Sequence, residues 1–470
     1  MIFLIFSLVA FYLEETGSRS GRFDSLHFRF RRWMQIGRSI FVDRTVQPNR
    51  LAVEDADPSK FCDLLKTSTT GSMARGRREI EPCSKTYGFP IYCAGWVPFS
   101  HIPTSSASQE NENENENEGD DKGDSAASDA SDKLLVALGG GGGEGRSGVP
   151  NALVISGFDF PSRSLSDEPV IRIGTESDLP YRMAIHPTGD GIICSFPNGS
   201  RWFKWDLRGS RDYKKLALNP SEESLTQLEN VSLQALCFNK EGSVLATGSE
   251  DGNLRVFKWP AMESILSEVV DDNSVKDLDF SFDGKHLASL RSSGPCRVWD
   301  LNSSSVIANL ARESGEIFRF CRFSCSSDDN QVLFVIAMHD DQGKIITWNT
   351  TTWKRIGSKR VVKDPISAFN ISPDGKLLAV GTIEGGIVVL NSKNLQVHSV
   401  IKKAHLGLLT SLVFSQDSRA LLSSSFDSTA RVTAIEAKKS NGLSMWLVFL
   451  VIIVAILAYY FQSNGLIGNL

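Results

Sequence analysis

The chain has 470 residues, 41% hydrophobic and 22% charged, which exceeds one ordinary domain of roughly 100 to 200 residues and calls for a repeat architecture or several domains. Its formal net charge of −5 is uneven: residues 110–132 carry ten acids against Lys122, a local −9, and residues 1–50 carry eight arginines against four acids, a local +4. The remainder is near neutral and lacks the basic stripe of a nucleic-acid binder, and the eight scattered cysteines lack paired metal-site spacing, so they read as reduced, mostly buried thiols of a cytosolic domain.

The chain opens on MIFLIFSLVAFYL, an apolar run of 13 residues. It is shorter than the roughly 20 needed to cross a bilayer and has no basic residues before it. A signal segment and a disordered extension through residue 84 are the two readings. Four strand-like runs follow: YGFPIYCAGWV (Tyr87 to Val97), KLLVAL (from Lys133), NALVISGF (from Asn151) and EPVIRIG (from Glu168). They make a first sheet. Between its first two strands, residues 100–132 are rich in Ser, Glu and Asp and too poor in apolar side chains to build a core, so they read as a disordered insert.

Five consecutive glycines, Gly139 to Gly143, begin the next connection, GGGGGEGRSGVPN, which ends at Asn151. Residues 140–145 and 143–148 both satisfy G-x-G-x-x-G. That motif holds a dinucleotide only where it opens a helix. Here it opens a strand, and no G-K-[S/T] ending is present, so both phosphate-cradle readings fail. A flexible hairpin loop and a protruding loop that meets another protein remain.

From residue 181 a unit of alternating apolar runs and tight turns recurs. The turns are HPTGDG (from His186), FNKEGS (from Phe238), SFDGK (from Ser281), FSCSSDDN (from Phe323), SPDGK (from Ser372) and SQDSR (from Ser415). Initial strands fall near Tyr181, Leu233, Val275, Phe318, Pro365 and Leu408, the period of WD-type propeller blades. With the first sheet they give an all-β, seven-bladed propeller over residues 85–437. An N-terminal strand is expected to close the ring on the last blade. His186 and His405 read as residues that stabilise blade turns. Residues 438–442 are a basic juxtamembrane stretch, and LSMWLVFLVIIVAILAYYF, residues 443–461, has no charge and carries Trp446 and Tyr459–Tyr460 near its ends. This predicts a C-terminal transmembrane helix, with a cytosolic propeller and a luminal tail at 462–470.

The glycine connection, SVKDLDFSFDGK (from Ser274), KAHLGLLTSLVFSQDS (from Lys403) and the terminal apolar run together resemble one family. It is that of the endoplasmic-reticulum WD-repeat guanine nucleotide exchange factors of COPII coat assembly, the group of prolactin regulatory element-binding protein. GVPN and SDLPYRMAIHP most resemble its plant members, including the phosphate transporter traffic facilitators. The resemblance implies a propeller that speeds GDP release from the small COPII coat GTPase, promoting vesicle export to the Golgi. It further implies that the loop between the second and third strands of blade one is ordered around a potassium ion and presses on the switch regions. The match carries over to Gly139, Gly140, Gly141, Gly142, Gly143, Glu144, Gly145, Gly148, Pro150 and Asn151, and more weakly to Pro180. In that role Glu144 would compete for the phosphate-binding lysine or the metal, and Asn151 would bond the switch backbone. The rival expectation is a non-exchanging adaptor that helps particular transporter cargo, such as phosphate carriers, leave the reticulum.

Overall fold

In the computed structural model the described residues are 83–102, 104–105, 133–144, 147–208, 216–223, 225–269, 273–324, 331–435 and 452–456. The chain divides into two units, Met1–Glu79 and Ile80–Leu470, and every described residue lies in the second. The described strands of that unit form seven sheets, each of four or five strands. The seven-bladed propeller is therefore as expected.

Ring closure falls to strand β1 (Cys83–Thr86), which pairs antiparallel with Thr429–Ala434 of the last blade, Cys83 opposite Val432 and Thr86 opposite Thr429. The ring thus begins two residues before the boundary expected at residue 85, because the closing strand starts at Cys83. Blade 1 follows as β2 (Ile91–Val97), β4 (Lys133–Gly140), β5 (Ala152–Asp159), β6 (Ser164–Leu165) and β7 (Ile171–Gly174), with β3 (Thr104–Ser105) between the first two in sequence. Blade 2 contains β8 (Arg182–Ile185), β9 (Gly191–Phe196), β10 (Gly199–Arg208) and β11 (Leu216–Pro220). Blades 3 to 6 are regular four-stranded units starting at Leu233, Val275, Ile317 and Ile366, and blade 7 starts at Leu409.

Part of the expected insert is ordered. Phe99–His101 form a 3-10 turn, Ile102 is buried, and β3 adds a parallel strand to β10 of blade 2. The apolar Phe99 and Ile102 explain this, since both pack into the core between blades 1 and 2. Residues 106–132, the rest of that expectation, lie outside the described residues, as does the run at 443–461 apart from 452–456, which are helical. No helix among the described residues is long and apolar enough to cross a membrane.

Strand alternation sets the packing. Ile193 points into the core shared with blade 3, while its neighbours Ile192 and Cys194 point into the core shared with blade 1. The same division runs round the ring, so each of seven hydrophobic clusters is an interface between adjacent blades. Polar stitches join the first strands of neighbouring blades. The Cys321 amide donates to Asp277 at 2.8 Å, the Phe323 amide to Asp279 at 2.6 Å, and Asn370 Nδ2 to the Leu412 carbonyl at 2.9 Å.

The turns read from sequence share one mechanism in blades 4, 6 and 7. In blade 6, Ser372 Oγ donates to Asp374 at 2.6 Å and accepts from the Leu377 amide at 2.9 Å, while Asp374 accepts from the Lys376 amide at 3.1 Å. Ser281–Asp283 and Ser415–Asp417 repeat the pattern. Burial raises each of these aspartates, but the serine and backbone donors outweigh it, and all three carboxyls lie below their usual range.

Two outcomes follow. Removal of residues 1–82 leaves cooperative thermal unfolding intact, whereas removal of 1–86 lowers the midpoint by several degrees in calorimetry, because it unpairs the edge of blade 7. For the turns, a depressed folded-state pKa contributes stability that is present above the unfolded aspartate value of about 4 and is lost as pH falls below it. Urea midpoints of an Asp283→Asn, Asp374→Asn, Asp417→Asn variant should therefore fall less steeply than wild type on acidification through that window.

Candidate functional site

Register fixes where the glycine connection sits. Ile91 pairs with Gly140, Gly140 with Ala152, and Ala152 with Gly174, so the start of β2, the β4–β5 connection and the end of β7 share one end of blade 1. The start of blade 1 meets blade 7 there: the Tyr87 amide donates to the Ser428 carbonyl at 2.9 Å, and the Tyr92 and Phe426 rings lie 4.8 Å apart. Leu406, 93% exposed, and Phe426, 43% exposed, are solvent-facing apolar side chains on that same face.

The five glycines divide. Gly139 and Gly140 are strand residues of β4, paired on both sides, so the free connection begins only at Gly141. This shortens the expected protrusion, and its reason is close packing: a side chain at Gly140 would overlap the Pro90 carbonyl. Gly141 donates to that carbonyl at 3.1 Å and has φ +150°, with Asn151 filling the space a Cβ would need. Only glycine fits there. Gly142 accepts from Ser147 Oγ at 3.5 Å, and the Val149 amide donates to the same hydroxyl at 3.3 Å.

Asn151 organises the rest. It is 3% exposed, and its Oδ1 accepts from the Gly143 amide at 2.9 Å. Its Nδ2 donates to the carbonyls of Gly143 at 3.3 Å and Glu176 at 3.0 Å, while its own carbonyl accepts from Thr175 at 3.1 Å. The expected contact was with another protein's backbone; within this chain every polar atom of the Asn151 side chain already has a partner. The side chain is spent inside the chain, as a buried brace between the glycine loop and residues 175–180.

Pro180 is buried at the base of that second loop. The Cys93 thiol donates to its carbonyl at 3.5 Å, and a side chain on Gly139 would stand 3.3 Å from its ring. Burial pushes the Cys93 thiol up to about 12, so it stays protonated. Glu144, Pro150 and Gly148 are exposed, and Gly145 lies outside the described residues. The structure thus brings Gly139 to Gly143, Asn151 and Pro180 into one cluster and leaves Glu144 and Pro150 on its surface. Residues 175–178 are the part that sequence reasoning missed. Thr175 Oγ1 donates to the Asp178 carbonyl at 2.6 Å, Glu176 has φ +55°, and Asp178 pairs with Arg201. Only the short SDLP phrase beside Pro180 hinted at it.

His186 and His405 do what was expected of them. His186 Nε2 bonds the Gly242 carbonyl at 3.0 Å, and the His405 ring lies between Thr429 Oγ1 at 2.7 Å and Ser423 Oγ at 2.8 Å. No cluster of three or more His, Cys, Asp or Glu side chains suited to a metal occurs among the described residues. The glycine loop instead offers peptide carbonyls and the Ser147 hydroxyl, the Asn151 amide oxygen being taken by the Gly143 amide. That donor chemistry suits a hard monovalent cation such as potassium.

The WD domain, G-beta repeat family matches residues 225–258 and 396–433. A relative from Arabidopsis thaliana, SEC12-like protein 2, is 47% identical over 365 residues, 77% of this chain and 90% of that protein. The chain belongs to the SEC12-like family. SEC12-like protein 1 of the same plant is 31% identical and covered over 72% of its length. The mouse guanine nucleotide-exchange factor SEC12 is 25% identical, with 50% of this chain and 62% of that protein aligned. Among solved structures, a chain of the COPII outer coat vertex on membranes superposes with TM-score 0.55 at 14% identity, covering 66% of this SEC12-like chain and 83% of its own length. That likeness is one of fold.

The brace makes a clear prediction for the SEC12-like site. Asn151→Ala removes the hydrogen bonds from this buried side chain to the half-exposed peptide groups of Gly143 and Glu176 and costs about 0.5–1.5 kcal/mol. Denaturant unfolding measures this loss, and hydrogen exchange at Gly143 should accelerate while exchange in blade 4 does not.

Proposed function

We propose that this protein is a guanine nucleotide exchange factor that promotes GDP release from the small COPII coat GTPase, and so vesicle export from the endoplasmic reticulum to the Golgi. The observation that carries the reading is the glycine loop, pinned at its base by buried Asn151 and presented beside exposed Leu406 and Phe426 on one face of the ring. Relatives from mouse and Candida glabrata named as guanine nucleotide-exchange factors support it. Exchange of this kind needs no general acid or nucleophile. The propeller need only bind the nucleotide-free GTPase more tightly than the GDP-bound one, so that contacts offset lost phosphate and magnesium interactions.

In this reading Asn151 and Pro180 hold the loop's shape, and exposed Glu144 and Pro150 meet the GTPase. Glu144 faces the lysine or magnesium that had held the phosphates. Potassium, if bound, would be held by the loop's carbonyls and Ser147 and would supply positive charge that orders the loop. The apolar run at 443–461 would anchor the propeller on the cytosolic side of the reticulum membrane as a single-pass protein. A second reading draws on SEC12-like protein 2, the 47% identical relative, whose name carries no exchange activity. It is an adaptor that helps transporter cargo such as phosphate carriers leave the reticulum without exchange.

The deciding measurement is release of fluorescent GDP from the coat GTPase, with and without a fragment spanning residues 80–436, which includes the closing strand. Acceleration is expected, reduced about tenfold by Asn151→Ala, equivalent to about 1.4 kcal/mol of lost transition-state stabilisation. Glu144→Ala should lower the rate without lowering the unfolding midpoint. No acceleration by the wild-type fragment rejects exchange and leaves the adaptor.

A further inference from the structure

The outermost strands of the blades differ sharply in charge. Blade 3 presents Glu263–Glu268, whose terminal acids pair with Lys258, Arg291 and Arg297. Blade 4 presents the uncharged Ser305–Leu310. Blade 5 instead presents Arg355–Val362, RIGSKRVV, flanked by Lys354 and Lys363. Blade 6 presents Val397–Ile401, flanked by Lys393 on one side and Lys402 and Lys403 on the other. Arg355 is neutralised by Glu313 and Glu316. Lys354, Arg360, Lys363, Lys393, Lys402 and Lys403 are exposed, and Asp364 is the single acid within 354–364 while none occurs within 393–403.

These two edges form one surface, because Lys359 Nζ donates to the Leu395 carbonyl at 2.8 Å and ties blade 5 to the turn of blade 6. Aliphatic side chains stand among the cations: Ile356 is 61% exposed, Val397 51% and Val400 52%. We infer that the outer edge of blades 5 and 6 is a contact surface for bilayers carrying anionic phospholipids. Clusters of four to eight Lys and Arg are drawn to such surfaces, and aliphatic groups between them enter the headgroup boundary. A protein partner would be served by a compact centre rich in aromatic anchors. This edge has dispersed aliphatics and long flexible cations instead.

The chain's course agrees with this assignment. Its last strand, Thr429–Ala434, belongs to blade 7, next to blade 6, and runs away from the glycine-loop face. The uncharged run begins shortly afterwards at Leu443. A ring held by that edge stands upright on the bilayer, and the glycine-loop face is left open to the side. The inference does not depend on exchange activity.

Flotation of the 80–436 fragment, whose ring closes within its own length, tests it without the apolar run. The fragment should float with vesicles of phosphatidylcholine and phosphatidylserine, less so at high salt, and not with phosphatidylcholine alone. Combined Lys354→Glu, Arg360→Glu and Lys393→Glu should lower the partition at least about a hundredfold, with unchanged unfolding midpoint and unchanged GDP release in solution. Ile356→Ser with Val400→Ser gives a smaller loss at unchanged charge. Absence of flotation with anionic vesicles, equal flotation with neutral ones, or full flotation of the charge-reversed variant overturns the inference.

Discussion

Everything in this molecule depends on the fact that a blade is apolar on both faces. A single sheet with Ile192 and Cys194 on one side and Ile193 on the other has no stable existence in water, and only a neighbour on each side removes both faces from solvent. The ring is the arrangement in which every blade has two neighbours. Its stability is consequently collective, spread over seven interfaces rather than concentrated in one core.

That distribution frees the loops at either end of the blades to carry function. Blade 1 uses the freedom most. Its β4–β5 connection leaves the sheet through glycines that let chain segments approach more closely than any side chain allows, and it returns through Asn151, whose amide ties the loop to itself and to residues 175–180. The described parts of the loop, 141–144 and 147–151, are thereby tied in place without secondary structure. Such preorganisation would favour the proposed exchange role, because ordering costs are met on folding rather than on binding.

Sequence periodicity revealed most of the architecture, for local reasons. The S-x-D turns are encoded within a few residues, since Ser372, Asp374 and Leu377 complete each other's hydrogen bonds, and blades starting at Leu233 and Val275 were visible to the residue. What stayed hidden is non-local. Cys83–Thr86 has a half-buried alternating pattern of only four residues, and it becomes a strand because Thr429–Val432 is waiting for it. Asn151 looked like a surface donor because its partner Glu176 lies 25 residues away. Gly139 and Gly140 read as loop because glycine is a poor strand former, yet the Cys93 sulfur beside Gly139 and the Pro90 carbonyl beside Gly140 stand where a side chain would go. The WD signature was legible in the blades, whereas the polar brace of the site was not.

The closing pair also imposes an order on synthesis. Cys83–Thr86 is made first among the described strands, and its partner, Thr429–Ala434, is made last. A chain emerging from the ribosome therefore carries blade 1 with an apolar flank whose partner among the described residues is made only when blade 7 appears. Contacts of such long sequence separation form slowly. The described blades thus remain an open arc until the last strand is made, and the ring closes in one step when Thr429–Ala434 meets Cys83–Thr86.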